Sequence, residues 1–172
     1  DYFWLGEGEN RFGIVIGDVS GKAMRAAMTA VMASGIVNAE ARGGKGIAEI
    51  LATTNRILFS KTDRRMFTAL CLLVLEPDRR SVTFANAGLV RPILIAADGL
   101  RSLEAVGSPH PLGMVLDTEY REAAVEVRRG DVLLLQTDGV IEAQNHGRQF
   151  YGEERLHRFL RSIDIVGMTS RQ

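Results

Sequence analysis

With 172 residues, 46% hydrophobic and 24% charged, the chain has the composition of one ordered globular domain, which excludes a disordered or low-complexity segment. Lysine plus arginine number 21 and aspartate plus glutamate number 21, so no net field draws the chain to nucleic acid or to an anionic membrane. A single cysteine, Cys71, excludes an intrachain disulfide, fits a reducing cytoplasm and, set in an apolar run, reads as a small buried hydrophobe.

No apolar stretch reaches the ~18 residues of a membrane span, and no secretory signal opens the chain. It begins at Asp1, without methionine, directly on a strand-like run, and so reads as a piece of a longer protein. Tyr2 to Leu5 is short and aromatic, Arg11 to Gly17 is apolar and β-branched, and the Gly/Glu/Asn stretch between them makes a hairpin. Lys22 to Arg42, rich in alanine and methionine, is a helix; Met24, Met28, Val31 and Gly35 share one stripe of it and are expected to face the core. Gly43-Gly44 ends that helix, and Ile47, Ile50, Leu51, Thr54 and Leu58 mark a second, amphipathic one. Strands follow: Met66 to Leu75, a turn at Pro77-Asp78, the alternating Ser81 to Ala87, and Pro92 to Ala96 with a hairpin turn at Asp98-Gly99. Val125 to Val127 and Asp131 to Thr137 flank Arg128-Arg129-Gly130 and read as a further hairpin, before Gly152 to Ile163 returns to a helical pattern. Two strands, two helices, a run of strands and a last helix are not the alternating rhythm of a parallel doubly wound sheet. The order implies one antiparallel α+β domain with helices covering the outer faces of its sheets, and no repeat or linker divides it.

Two segments carry chemistry. In Gly17-Asp18-Val19-Ser20-Gly21-Lys22-Ala23 a carboxylate stands where an apolar strand gives way to a glycine turn and a small-residue helix. Such a carboxylate and the carbonyl beside it are the hard oxygen ligands that magnesium and manganese prefer; equally, Asp18 or Ser20 could cap the helix. Gln136-Thr137-Asp138-Gly139-Val140-Ile141-Glu142-Ala143 repeats the pattern after the apolar Val132 to Leu135, with the same two readings for Asp138. If the two strands are neighbours, both carboxylates reach one rim, and cations between them relieve the like-charge penalty. A nucleotide-binding enzyme is a rival that fits poorly: Gly17 to Lys22 superficially resembles a phosphate loop but has one residue too few between its glycines, and Ala23 stands where that loop needs a hydroxyl. His110, His146 and His157 lack ligand spacing, Asn86 and Gly88 read as turn formers, and Lys22 reads equally as a phosphate contact or as a solvated first-turn lysine.

Gly17-Asp18-Val19-Ser20-Gly21-Lys22 closely resembles the first core motif of the sporulation stage II E phosphatases, a bacterial branch of the PPM-type metal-dependent serine/threonine protein phosphatases. Thr137-Asp138-Gly139-Val140-Ile141-Glu142-Ala143 resembles their late motif. Phe67 to Leu70, Val74 to Pro77, Phe84 to Gly88, Pro111-Leu112-Gly113 and Phe150 to Leu156 match further segments in the family's order, so the resemblance runs from Asp1 to about Leu156.

The resemblance implies a four-layer α-β-β-α sandwich, two antiparallel sheets flanked by helices, with two divalent cations, Mn2+ or Mg2+, at one rim. Asp18 would bridge both metals, Val19 would offer its backbone carbonyl, and Asp138, followed by Gly139, would ligate one metal from the neighbouring strand. A metal-activated water would then hydrolyse phosphoserine or phosphothreonine, without a phosphoenzyme, on a phosphorylated anti-sigma-factor antagonist in the cytoplasm, with a sensor domain upstream in the parent. The chain departs from the pattern in four places. Its opening aligns with the family's second aspartate, leaving the first before Asp1; a shifted register makes Asp1 itself that ligand. The family's closing metal carboxylate is not matched before Gln172, and Asp164 reads as a surface residue, so residues 1–172 are expected to be a single phosphatase domain truncated at both ends. Ala23 replaces a glycine, which is expected to strengthen the helix start, and Leu89 replaces a histidine. The competing reading is a catalytically impaired regulatory or docking module on the same scaffold.

Overall fold

The uninterrupted apolar run around Cys71 becomes a central strand. In the computed structural model, which describes residues 1–4, 10–63 and 65–165, β3 (Thr68–Glu76) lies third in a five-stranded sheet. Its order is β1 (Tyr2–Trp4), β2 (Phe12–Val19), β3, β4 (Ser81–Ala87) and β7 (Ala123–Glu126), and every neighbouring pair is antiparallel. Leu70, Cys71, Leu72, Leu73 and Val74 are each at most 3% exposed. Successive strand residues point to opposite faces, so both faces of β3 are covered and no hydrophobic alternation survives in its sequence.

Two helices cover one face of this sheet. Ala33, Val37 and Ala41 of α1 (Ala23–Ala41) and Ile47, Ile50, Leu51 and Leu58 of α2 (Ile47–Lys61) form one core with Val15, Leu70, Leu72, Val74, Ala85 and Ala87. Each buried leucine or isoleucine there contributes roughly 1.5–3 kcal/mol. The second helix buries the stripe its sequence announces, but the first does not. Met24, Met28 and Val31 are 72%, 62% and 73% exposed, while Thr29, Ala33, Val37 and Ala41, one per turn, are buried. Small side chains let the α1 axis approach the sheet and α2 closely; methionines on that face would hold it off. Alanine and methionine are strong helix formers wherever they point, so composition identified the helix and not its inner face.

These elements belong to one compact unit, Asp1–Leu89 with Ala105–Glu126; Val90–Glu104 and the chain from Val127 onward form a second. In the second unit β5 (Ile93–Ala96) is the middle of a three-stranded antiparallel sheet, β6 (Gly99–Ser102), β5, β8 (Val132–Leu134). Two helices follow, the single turn α3 (Asp138–Ile141) and α4 (Glu153–Ser162). Ile93 and Ile95 pack on Leu156 and Leu160, with Leu100, Val132, Leu134, Ile141 and Tyr151 around them. Glu153 and Glu154 in the first turn of α4 and Arg161 in its last suit the helix dipole. The β5–β6 turn is Ala97-Asp98, and Gly99 opens β6 at φ 131°, a conformation open to glycine.

The antiparallel α+β architecture with two sheets is as the element order implies, with one correction. The strands flanking Arg128-Arg129-Gly130 do not form a hairpin: β7 pairs with β4 in the five-stranded sheet and β8 pairs with β5 in the other. The turn itself forms, since Asp131 N–H donates to the Arg128 carbonyl at 3.0 Å and Arg128 N–H to the Asp131 carboxylate at 2.8 Å. Turn chemistry fixes a reversal of the chain but not the partner of the strand that leaves it. Among the described residues no helix is long and apolar enough to cross a membrane.

Candidate functional site

The β2–β3 ladder sets the first acidic turn. Asp18 stands opposite Ala69 and Val19 opposite Thr68. Beyond the last strand residue, Ser20 N–H donates to the Phe67 carbonyl at 2.9 Å, and Phe67 N–H donates to Ser20 Oγ at 2.8 Å. Ser20 is therefore bonded toward β3, and in an antiparallel ladder alternate residues turn their backbone groups to opposite neighbours. It follows that the Val19 N–H and carbonyl face away from β3, on the side where Val15 exchanges two 2.9 Å bonds with Asp1. Side chains alternate as well. Val15 belongs to the core beneath α1 and α2, so Gly17 and Val19 lie on the helix-covered face, and the exposed Asp18 rises from the opposite one. Gly17 is confined: a Cβ there would approach the Ala69 carbonyl oxygen to 3.1 Å.

The turn that follows is tightly wound. Gly21 has φ 95°, Lys22 is extended at the N-cap without a side-chain capping bond, and Ala23 has φ 62°. Ser20 is no helix cap, because its hydroxyl is engaged by Phe67, and neither Ser20 nor Asp18 occupies the N-cap position. Nor does Ala23 strengthen the helix start. It sits in the left-handed region, where a Cβ costs about 1–2 kcal/mol and glycine nothing comparable.

Asp138 belongs to the second unit. It is the first residue of α3, exposed, and its carbonyl accepts from Glu142 N–H at 2.7 Å. The cap position falls to Thr137, again without a side-chain capping bond. Gly139 has room for a side chain, the nearest atom to an added Cβ being Thr137 Oγ1 at 3.5 Å. Just before Thr137, Gln136 is 5% exposed, and its Oε1 has no hydrogen-bond partner among the described residues. The strands preceding the two aspartates, which the family resemblance implies are neighbours, are members of different sheets.

Asp1 takes a different place from Asp18. Its pairing with Val15 puts it on the helix-covered face, where its carboxylate accepts from the Ser34 hydroxyl of α1. It lines a cavity of about 170 Å3 with Gly17, Val19, Ser34 and Thr68. The register thus sets Asp1 and Asp18 on opposite faces of the five-stranded sheet. Asp164, His110 and His146 are exposed, and the described role of His110 is to accept from Tyr120 Oη through its carbonyl, at 3.0 Å. Asn86 closes the turn at Gly88 (φ 76°) by bonding both the N–H and the carbonyl of Leu89, at 2.8 and 3.0 Å. Cys71 is fully buried and burial pushes its thiol up to about 12, so it is no nucleophile.

One organising residue escaped the sequence reading. Asn55, wholly buried on α2, accepts from Gly113 N–H at 2.7 Å and donates to the carbonyls of Val115 and Leu116 at 2.8 and 2.9 Å. Leu112 in turn exchanges backbone bonds with Thr68, 2.8 and 2.9 Å, at the start of β3. An amide beside Thr54 on an otherwise apolar stripe was the available signal, because a buried amide requires partners.

The donor types at the end of β2, one carboxylate and one carbonyl, fit magnesium or manganese. Among the described residues no three His, Cys, Asp or Glu side chains gather into a metal-ligating group.

Residues 8–169 match the family model described as Stage II sporulation protein E (SpoIIE). Phosphoserine phosphatase RsbU of Bacillus subtilis (strain 168) is 26% identical over 146 residues, 84% of this chain and 43% of RsbU. Among solved structures, the SiaA-PP2C domain of Pseudomonas aeruginosa has a TM-score of 0.77 at 22% identity, covering 93% of this chain and 64% of that one. RsbX, solved in complex with magnesium, has a TM-score of 0.65 at 16% identity, covering 95% and 79%. The chain spans less than half the length of RsbU.

Proposed function

The chain belongs to the stage II sporulation protein E family, and we propose from that membership that it hydrolyses phosphoserine or phosphothreonine on a regulatory protein, with divalent cations. The observation that carries the reading is the end of β2, where the family's first motif supplies an exposed carboxylate, Asp18, and beside it a Val19 carbonyl facing away from β3. Asp18, the Val19 carbonyl and Asp138 are the proposed metal ligands. Two bound Mn2+ or Mg2+ ions would supply a water of lowered pKa and neutralise phosphoryl oxygens. The pairing of Asp18 with Ala69 and the bond from Ser20 N–H to the Phe67 carbonyl fix the main chain on either side of Val19 against β3. Cys71, fully buried, is assigned no part in the reaction.

RsbU is named a phosphoserine phosphatase, and RsbX was solved with magnesium; both support the reading. A phosphorylated anti-sigma-factor antagonist as substrate, a cytoplasmic location and an upstream sensor domain in the parent protein follow from family analogy. One observation favours the alternative, an impaired docking module: no group of three metal-ligating side chains forms among the described residues. Manganese-dependent hydrolysis of p-nitrophenyl phosphate by the full-length parent decides between them. Activity is expected, and Asp18→Asn or Asp138→Asn should abolish it. Undiminished turnover in both variants would remove the metal reading, and an inactive parent that still binds its partner would establish the docking module.

A further inference from the structure

We propose that Ser20 is a positioning residue for the Asp18–Val19 metal ligands, acting through its hydroxyl; the inference rests on the metal reading above. An ordinary antiparallel pair at this point would return the Phe67 N–H to the Ser20 carbonyl. Here the side-chain oxygen takes that N–H at 2.8 Å while the Ser20 N–H still donates to the Phe67 carbonyl at 2.9 Å. The pairing therefore continues one residue past Val19 with a hydroxyl in place of a carbonyl, and the main chain is released to enter the Gly21 turn immediately afterwards.

The anchor that Ser20 grips is rigid. Thr68, next to Phe67, is 2% exposed and bonded in both directions to Leu112; Gly113, next to Leu112, donates to the wholly buried Asn55 of α2. Ser20 thus ties the turn to a chain of bonds that ends in the hydrophobic core. On its other side the turn has two left-handed residues, Gly21 and Ala23, and Lys22 brings no side-chain capping bond. Removing the hydroxyl leaves Phe67 N–H without its acceptor and lets the carbonyl of Val19 and the side chain of Asp18 shift against the rim.

Residues that orient metal ligands without touching the metal typically change affinity by about 10–100-fold when lost. The test measures Mn2+ binding to the full-length parent by titration calorimetry without substrate, alongside activity at rising Mn2+. Ser20→Ala should bind Mn2+ about 10-fold more weakly, with turnover recovered at saturating Mn2+. Ser20→Thr, which keeps the acceptor, should bind as wild type. If the alanine variant does not fold, Ser20→Cys, close in size and a poor acceptor, replaces it. Wild-type affinity in the alanine or cysteine variant overturns the proposal, as does a threonine variant as weak as alanine. Asp18→Asn separates the two levels. If it leaves Mn2+ binding intact, the metal reading itself fails. If it abolishes binding while Ser20→Ala changes nothing, only the positioning role is lost.

Discussion

Replacing Ala23 by glycine should make the protein more stable, although it puts the poorest non-proline helix former at a helix start. Ala23 has φ 62°, and a Cβ in that region costs about 1–2 kcal/mol. Glycine removes this cost but enlarges the unfolded ensemble, an opposing term of about 0.4–1 kcal/mol. The methyl is exposed, so no core contact is lost, and the balance is a gain of roughly 0.5–1 kcal/mol. For a domain of this size that raises the melting temperature by about 1–4 °C. Ala26, one turn further along α1 and not among the residues with positive φ, provides the control. There the same replacement should cost about 1 kcal/mol. Urea unfolding of both variants reads the two effects as midpoint shifts of opposite sign at constant slope. Equal destabilisation would mean that Ala23 is ordinary helix and that the tightly wound turn is wrongly described.

Four further outcomes follow. Met24→Gln and Met28→Gln should each change stability by no more than about 0.5 kcal/mol, as exposed substitutions do, whereas Val37→Ala, at a fully buried site, should cost about 2 kcal/mol in the same unfolding assay. Asn55→Ala leaves an N–H and two carbonyls without partners; a loss of about 3 kcal/mol is expected, with faster amide exchange at Gly113. Cys71 should resist thiol reagents at pH 8 in the native state and react on unfolding. Because its thiol is raised from 9.0 to about 12 in the fold, its contribution is complete below pH 9 and lost as pH rises through that interval, so Cys71→Ala should flatten the alkaline decline of stability.

What the sequence could announce depended on how locally each feature is determined. The α2 stripe of Ile47, Ile50, Leu51, Thr54 and Leu58 was legible because large apolar residues at helical spacing leave no choice of inner face, and all five are buried. The α1 stripe misled because alanines cannot declare a face while methionines look as if they do. The strands around residues 128–130 were located correctly, yet their pairing depends on sheet partners β4 and β5, which are remote in sequence. At the candidate site the motif named Asp18, but its setting was hidden. The face from which Asp18 rises follows from register against β3, and the Ser20–Phe67 bond joins residues 47 positions apart. Ala23 shows the limit of propensity most directly: a good helix former was expected to help, and the backbone holds it where only glycine is at ease.

The two units are nested in the order of synthesis. The first needs residues up to 126, yet the β5–β6 hairpin of the second is made before its last strand is available. On the ribosome, at ~5–20 residues per second, the five-stranded sheet can close while that hairpin, with apolar Ile93 and Ile95, still awaits β8 and then Leu156 and Leu160 for several seconds. No single cut separates the two units, so a nascent or proteolysed polypeptide ending near residue 126 holds all of the first unit and with it an orphaned apolar hairpin, a natural mark for chaperones and proteases.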